Sequence, residues 1–325
     1  MPVWHWGAGV DDAGTRNRAG VLGATSLVGS CLLPLLAGAR WQVVAYSRQT
    51  NVHASDEVEW RPTPPSLLGN PSPLMEPPAT QTTTAQSLVI PFAGEKNILF
   101  WVCAAPVWVL PDYFGLLEEH GAKRVVVLSS TSRFTKDDST DPKEQAVALR
   151  LADAEAHIRE WAESRGVELV ILRPTLIYGL GRDKNIAEIA RFIRRFGFFP
   201  LLGEANGLRQ PVHAADVAGA CLAALQAPCA ANRIYNISGG ETLTYRNMVA
   251  RIFSALDCRP RLLTVPLWAF RLALAMLRLL PHYRQWSATM AERMNRDLVF
   301  DHTEATRDLG FTPRAFVLAV TDLPT

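Results

Sequence analysis

The strongest constraint on this chain is a rhythm in its first two thirds. Short, almost wholly apolar runs alternate with helical patterns. "AGVLGA" (19–24) is followed by "LVGSCLLPLLAGA", and "WQVVAYS" (41–47) comes next. "NILFWVCAA" (97–105) leads into "LPDYFGLLEEHGA", "KRVVVLSS" into "EQAVALRLADAEAHIREWAESRG" (144–166), and "VELVILRP" (167–174) closes the series. Strands with no polar face are covered on both sides. The rhythm therefore predicts an α/β fold with a doubly wound parallel sheet between two helical layers. Its crossovers are right-handed by default. Residues 61–80 interrupt the pattern with Pro62, Pro64, Pro65, Pro71, Pro73, Pro77 and Pro78, a density no helix survives, so an irregular surface loop is expected there.

Composition narrows the function classes. A net charge of +2 gives no general electrostatic case for nucleic-acid binding. Five scattered cysteines, with no CxxC pair, read as reduced thiols of a cytoplasmic protein rather than a disulfide framework or a zinc site, and no metal site is expected. The N-terminal residues lack a secretory pattern and read as a flexible tail over 1–18. Only residues 262–280 approach membrane length, and Pro266, Arg271 and Arg278 interrupt them. An amphipathic or buried helix is expected there, with a helix on a membrane surface as the alternative.

"GVLGATSLVGS" places Gly23 and Gly29 between the first strand and the first helix, with the small hydroxyl residue Ser26 between them. A dinucleotide pyrophosphate needs this arrangement, because it approaches the backbone closely and sits where helix N–H groups and the dipole favour anions. The second strand ends "AYSRQ". Where an acid would bind the ribose 2′-hydroxyl of NAD, the chain offers Ser47 and Arg48, suited to a 2′-phosphate. NADP(H) is therefore favoured over NAD(H); stacking of Arg48 on the adenine, or its solvation, is the competing reading.

"GATSLVG", "LSSTS", "LRPTLIYGLG", "QPVHAADVAGACLAAL", "YNISGGETLTYRNMV" and "DLVFDHTEATRDLGFTP" follow one another in order. Together they resemble the extended short-chain dehydrogenase/reductase group, the NAD-dependent epimerase/dehydratase family that acts largely on nucleotide sugars. The resemblance runs from about residue 19 to the end. It implies a Rossmann core over 19–178 plus about 209–238, and a smaller, mostly helical substrate lobe over 179–208 plus 239–325. It also implies that Gly23, Thr25, Ser26, Leu27, Val28, Gly29, Ser47, Arg48, Ala104, Ala105, Ser129 and Pro174 border the cofactor. Thr131, with Ser130 beside it, falls where the family polarises the substrate hydroxyl. Asn185, Arg209 and Arg293 fall near positions that hold a substrate diphosphate, although Arg296 competes with Arg293.

The resemblance fails at one point. The family's proton-transferring Tyr-x-x-x-Lys, counted back from Glu155, falls on Val147 and Leu151, and no tyrosine lies between Tyr113 and Tyr178. Tyr178, and Lys136 with Asp137, are the conceivable substitutes. Arg150 carries its proton permanently and cannot act as a base. The leading expectation is an NAD(P)-dependent oxidoreductase or epimerase-like protein acting on a nucleotide-sugar or other anionic small molecule. A non-catalytic NADP-binding sensor or assembly protein is the alternative from another class. A membrane-surface enzyme for a lipid-linked substrate is a third reading, and a homodimer is left open.

Overall fold

In a computed structural model, the described residues are 17–48, 58–63, 97–136, 141–266, 268 and 293–324. The rest, including residues 1–16 of the expected tail over 1–18, most of the proline-rich stretch, Asp137 and nearly all of 267–280, lie outside them.

The Rossmann part runs β1 (Arg18–Leu22), α1 (Leu27–Gly38), β2 (Gln42–Ser47), β3 (Val58–Pro62), β4 (Phe100–Cys103), α2 (Phe114–Glu119), β5 (Arg124–Leu128), α3 (Ser132–Thr135), α4 (Pro142–Arg165) and β6 (Glu168–Pro174). Then come β7 (Ile177–Tyr178), α5 (Ile186–Phe196), β8 (Phe199–Leu202), β9 (Leu208–Arg209), β10 (Val212–His213), α6 (Ala214–Gln226) and β11 (Ile234–Ile237). The chain continues through β12 (Leu243–Thr244), α7 (Tyr245–Ala255), β13 (Leu262–Val265) and α8 (Thr303–Leu309).

Seven strands form one sheet in the order β11-β6-β5-β4-β1-β2-β3, and every pairing is parallel. The chain reverses direction across the sheet between β1 and β4. That is the switch point where ligands bind at the carboxyl ends of the strands. α1 and α6 cover one face, with Leu32, Leu36, Val217, Cys221 and Leu225 in its core; α4 and the segment after β4 cover the other, around Trp101, Leu110, Leu151 and Ile158. A third apolar cluster, around Ile186, Ile193, Leu201, Met248, Ile252 and Phe253, belongs to the lobe. Local signals explain the helix ends. Asp141 accepts the Lys143 amide at 2.9 Å, Pro142 occupies the first turn of α4, and Gly166 closes it at φ 65°.

Three expectations are corrected. β1 begins at Arg18, inside the expected tail. The proline-rich stretch begins with an edge strand: β3 ends on Pro62, and Arg61 and Glu59, two residues apart, pair on one side of it, with Arg61 Nε donating to Glu59 at 2.7 Å. An edge strand tolerates proline because it has a side that needs no ladder donor. The stretch expected to be helical from residue 262 opens as a strand, β13, paired in parallel with β8 from Leu262↔Phe199 to Val265↔Leu202. The β-branched Thr264 and Val265 directly before Pro266 favour extended backbone over helix.

Candidate functional site

The loop from β1 to α1 is shaped by its glycines. Gly23 sits at φ 75°, and a Cβ there would lie 2.5 Å from the Ala105 amide nitrogen. This close approach brings the end of β4, at Ala104 and Ala105, against the loop. A Cβ on Gly29 would lie 2.7 Å from the Ala24 carbonyl oxygen. Both are positions where a side chain would fill the space backbone needs. Ser26 caps α1: its amide donates to Gly23 O at 2.9 Å and its hydroxyl accepts the Gly29 amide at 3.0 Å. With that amide taken, Leu27 and Val28 present the remaining first-turn N–H groups to an incoming anion. The loop thus fits a dinucleotide pyrophosphate.

Ser47 is buried at the end of β2 and Arg48 is exposed beyond it. A residue just beyond the sequence motifs also belongs here. Arg182, after β7, donates to Thr25 O at 2.9 Å and to the Ser30 hydroxyl at 3.4 Å. It brings a guanidinium from the lobe to the rim of the phosphate loop. Nothing local in the sequence links positions 25 and 182.

The hydroxyls after β5 have separate partners. Ser129 donates to the buried Glu155 at 2.5 Å. Glu155 also receives Arg173 through two bonds and forms an ion pair with Arg133. Burial pushes the Glu155 carboxyl up, but the hydrogen bonds from Arg173 and Ser129 and the two guanidinium charges outweigh it and hold the group below its usual range. Thr131 is buried; its amide and hydroxyl both donate to Pro174 O, at 3.1 and 3.2 Å. Ser130 Oγ accepts the Ser132 amide at 3.1 Å, which leaves its O–H to donate.

Ser130 and Thr131 open onto a cleft of about 730 Å³ between the sheet edge and the lobe. Five cationic residues line it (Lys136, Lys184, Arg209, Arg293 and Arg296) against two carboxylates, Glu144 and Glu188. Asn185 lines the cleft at the start of α5, where Asp183 rather than Asn185 does the capping, by accepting the Asn185 amide at 2.9 Å and the Ala187 amide at 3.2 Å. Arg209 is buried over the Tyr245 ring and donates to the carbonyls of Leu208, Arg293 and Arg296. Three of its five N–H groups are thus spent on backbone. Arg293 forms an ion pair with Glu144, and Arg296 donates to Thr135 O at 3.2 Å. Both arginines that competed in sequence therefore face the same cleft. Burial, then the Arg293 charge, lowers the Lys136 pKa from its ordinary value.

Tyr178 is not brought to the cleft. Its side chain is fully buried between His213 and Phe316, its hydroxyl meets Val317 O at 3.5 Å, and burial pushes its pKa up to about 12. It packs the lobe onto the core and is corrected from candidate acid–base to structural residue. On α4, Leu151 is buried and Val147 packs beside it against the same apolar cluster, while Arg150 stacks on Trp108 at 4.5 Å.

Comparison with known proteins agrees with this arrangement. The chain is 26% identical over 235 residues to the uncharacterized protein y4nG of Sinorhizobium fredii, covering 69% of this chain and 57% of that protein. It is 24% identical over 205 residues to UDP-glucose 4-epimerase of Vibrio cholerae, covering 60% of each chain. It therefore spans less than two thirds of either relative's length. In fold it matches the structure of MoeE5 in complex with UDP-glucuronic acid and NAD at a TM-score of 0.64 and 18% identity, over 94% of this chain and 96% of that one. The model of the NAD dependent epimerase/dehydratase family matches residues 19–238, more than half of the chain, and the chain belongs to that family.

Proposed function

We propose that this protein is an NADP(H)-dependent oxidoreductase of the epimerase/dehydratase type acting on an anionic, nucleotide-linked small molecule. The observation that carries the reading is one of placement. A glycine-shaped phosphate loop and a cation-lined cleft meet at the carboxyl edge of the sheet, and Ser130, Thr131 and Lys136 stand in that cleft. The names of the relatives, a UDP-glucose 4-epimerase and MoeE5 in complex with UDP-glucuronic acid and NAD, support a nucleotide-sugar substrate and a nicotinamide dinucleotide, and the NADP(H) preference rests on Arg48.

Leu27, Val28 and Ser26 would hold the cofactor pyrophosphate, and Arg48 its ribose 2′-phosphate. When bound, the nicotinamide supplies the hydride acceptor or donor. The protein's own part is to bind, orient and move a proton. Ser130 has the O–H to donate to the reacting substrate oxygen, whereas the Thr131 O–H is engaged in a hydrogen bond to Pro174 O, which leaves its oxygen to accept. Lys136 takes the place of the missing tyrosine: as a neutral amine it accepts the substrate hydroxyl proton while that carbon is oxidised, and as an ammonium it returns a proton on reduction. Its lowered pKa makes the neutral form more available.

The test is a nicotinamide absorbance assay over a panel of sugar nucleotides with wild type and Lys136→Met. Turnover should rise with pH through a pKa below that of an ordinary lysine. The variant should lose about two or more orders of magnitude in rate and still bind NADPH. Full activity in Lys136→Met would exclude Lys136 as the proton carrier.

A second reading has an observation of its own. α4 offers apolar Val147 and Leu151, packed into the core, at the family's Tyr and Lys positions. This favours a dinucleotide-binding sensor or assembly protein with no turnover. Tight NADPH binding with no absorbance change for any substrate of the panel would select it.

A further inference from the structure

The far end of the lobe carries a surface that neither the cofactor loop nor the cleft uses. α5 ends at Phe196, and Gly197 at φ 73° turns the chain so that Phe198 emerges beside it, with the two ring centres 6.4 Å apart. Ile186, Ile189 and Ile193 of α5 are buried, whereas Phe196 is 51% exposed, Phe198 37%, Leu263 55% and Trp268 72%. The Phe199 amide donates to Arg261 O at 3.0 Å, which sets the start of β13 next to these rings. Arg261 stands directly before β13 and Leu263 is its second residue, and both are exposed.

Several arginines stand at this patch. The Arg195 guanidinium lies 5.4 Å from the Phe196 ring centre, and Arg259 and Arg261 are exposed beside it. Glu188 is occupied by Arg191, and Arg194 donates to Pro324 O. Among the described residues, Arg195, Arg259 and Arg261 form no ion pair. The sequence beyond the patch has the same character: residues 266–280 read "PLWAFRLALAMLRLL", and Arg271 and Arg278 are their only charges. Among the described residues no helix is long and apolar enough to cross a membrane.

From this we infer that the surface of Arg195, Phe196, Phe198, Arg261 and Leu263 docks the protein on an anionic lipid bilayer. Aromatic side chains sit favourably at headgroup depth, and unpaired arginines beside them are drawn to anionic headgroups. A protein partner would call for complementary acids or a shaped groove; these exposed rings stand beside arginines. The patch is also the back of the cleft wall, because Phe192, which lines the cleft, contacts the rings of Phe196 and Phe198. Docking would hold the cleft close to the lipid surface. The inference does not depend on the redox reading.

The experiment is vesicle flotation of the full chain at low and high salt, with phosphatidylglycerol-containing and pure phosphatidylcholine vesicles. The variants are Arg195→Gln with Arg261→Gln, and separately Phe198→Ser with Leu263→Ser. All these side chains are partly or fully exposed, and unchanged NADPH binding and circular dichroism verify the fold of each variant. The protein should float with anionic vesicles at low salt and much less with neutral ones or at high salt. Each arginine removed should lower partitioning by about fivefold, and the apolar variant should also lower it. No flotation at low salt would overturn the inference. So would flotation that both variants leave unchanged, or a dimer in light scattering that the same variants disperse.

Discussion

Ser129, Ser130 and Thr131 are consecutive hydroxyls with three different tasks. Ser129 donates a hydrogen bond to Glu155, Thr131 donates one to Pro174 O, and Ser130, which accepts the Ser132 amide, still has its O–H to donate. The sequence shows a greasy strand ending in hydroxyls, which is enough to mark the spot. It cannot rank the three, because their partners are 26 and 43 residues away. Arg48 is a sharper case. Exposed at the tip of β2, it is the one residue proposed to read a 2′-phosphate. Arg48→Asp should weaken NADPH binding by about tenfold or more and narrow or reverse the preference over NADH, as loss of a charge-assisted phosphate contact implies. Equal affinities for both cofactors in the wild type would remove that role.

At the scale of elements, α4 is tied to the sheet by one carboxylate. Glu155 lies at 0% exposure under Ser129 of the β5 end, Arg173 of β6 and Arg133 of α3. Glu155→Gln keeps the shape and leaves two guanidinium groups without their counter-ion. It should cost about 3 kcal/mol in urea unfolding. Because the folded-state pKa of Glu155 is lowered, its contribution is present above the unfolded-state carboxylate range and fades as pH falls through the folded value. The gap between wild type and variant should therefore narrow in acid. A gap independent of pH would mean that Glu155 contributes packing rather than charge. The helices and the long strands were legible because their apolar runs are long. β3 and β13 were not: each is a short strand beside proline, and what makes it a strand is pairing with β2 or β8, a tertiary fact.

At the scale of the whole molecule, the sequence motifs follow the sheet. Glycine loop, hydroxyl cluster and lobe segments appear in the order that the β11-β6-β5-β4-β1-β2-β3 topology brings to one edge. The contacts between lobe and core were less visible. Arg182 crosses to the phosphate loop from 157 residues away, and Tyr178 locks the lobe from inside instead of serving the cleft. Arg182→Ala should weaken NADPH binding roughly fivefold, about 1 kcal/mol, in a fluorescence titration. An unchanged affinity would make the contact architectural only. The proposed account stands most directly on a crystal structure of the NADPH complex. It predicts the pyrophosphate on the Leu27 and Val28 amides, the 2′-phosphate at Arg48, and the nicotinamide facing Ser130 and Lys136. A dinucleotide bound away from the Gly23–Gly29 loop, or a nicotinamide turned from the Ser130 side of the cleft, would contradict it.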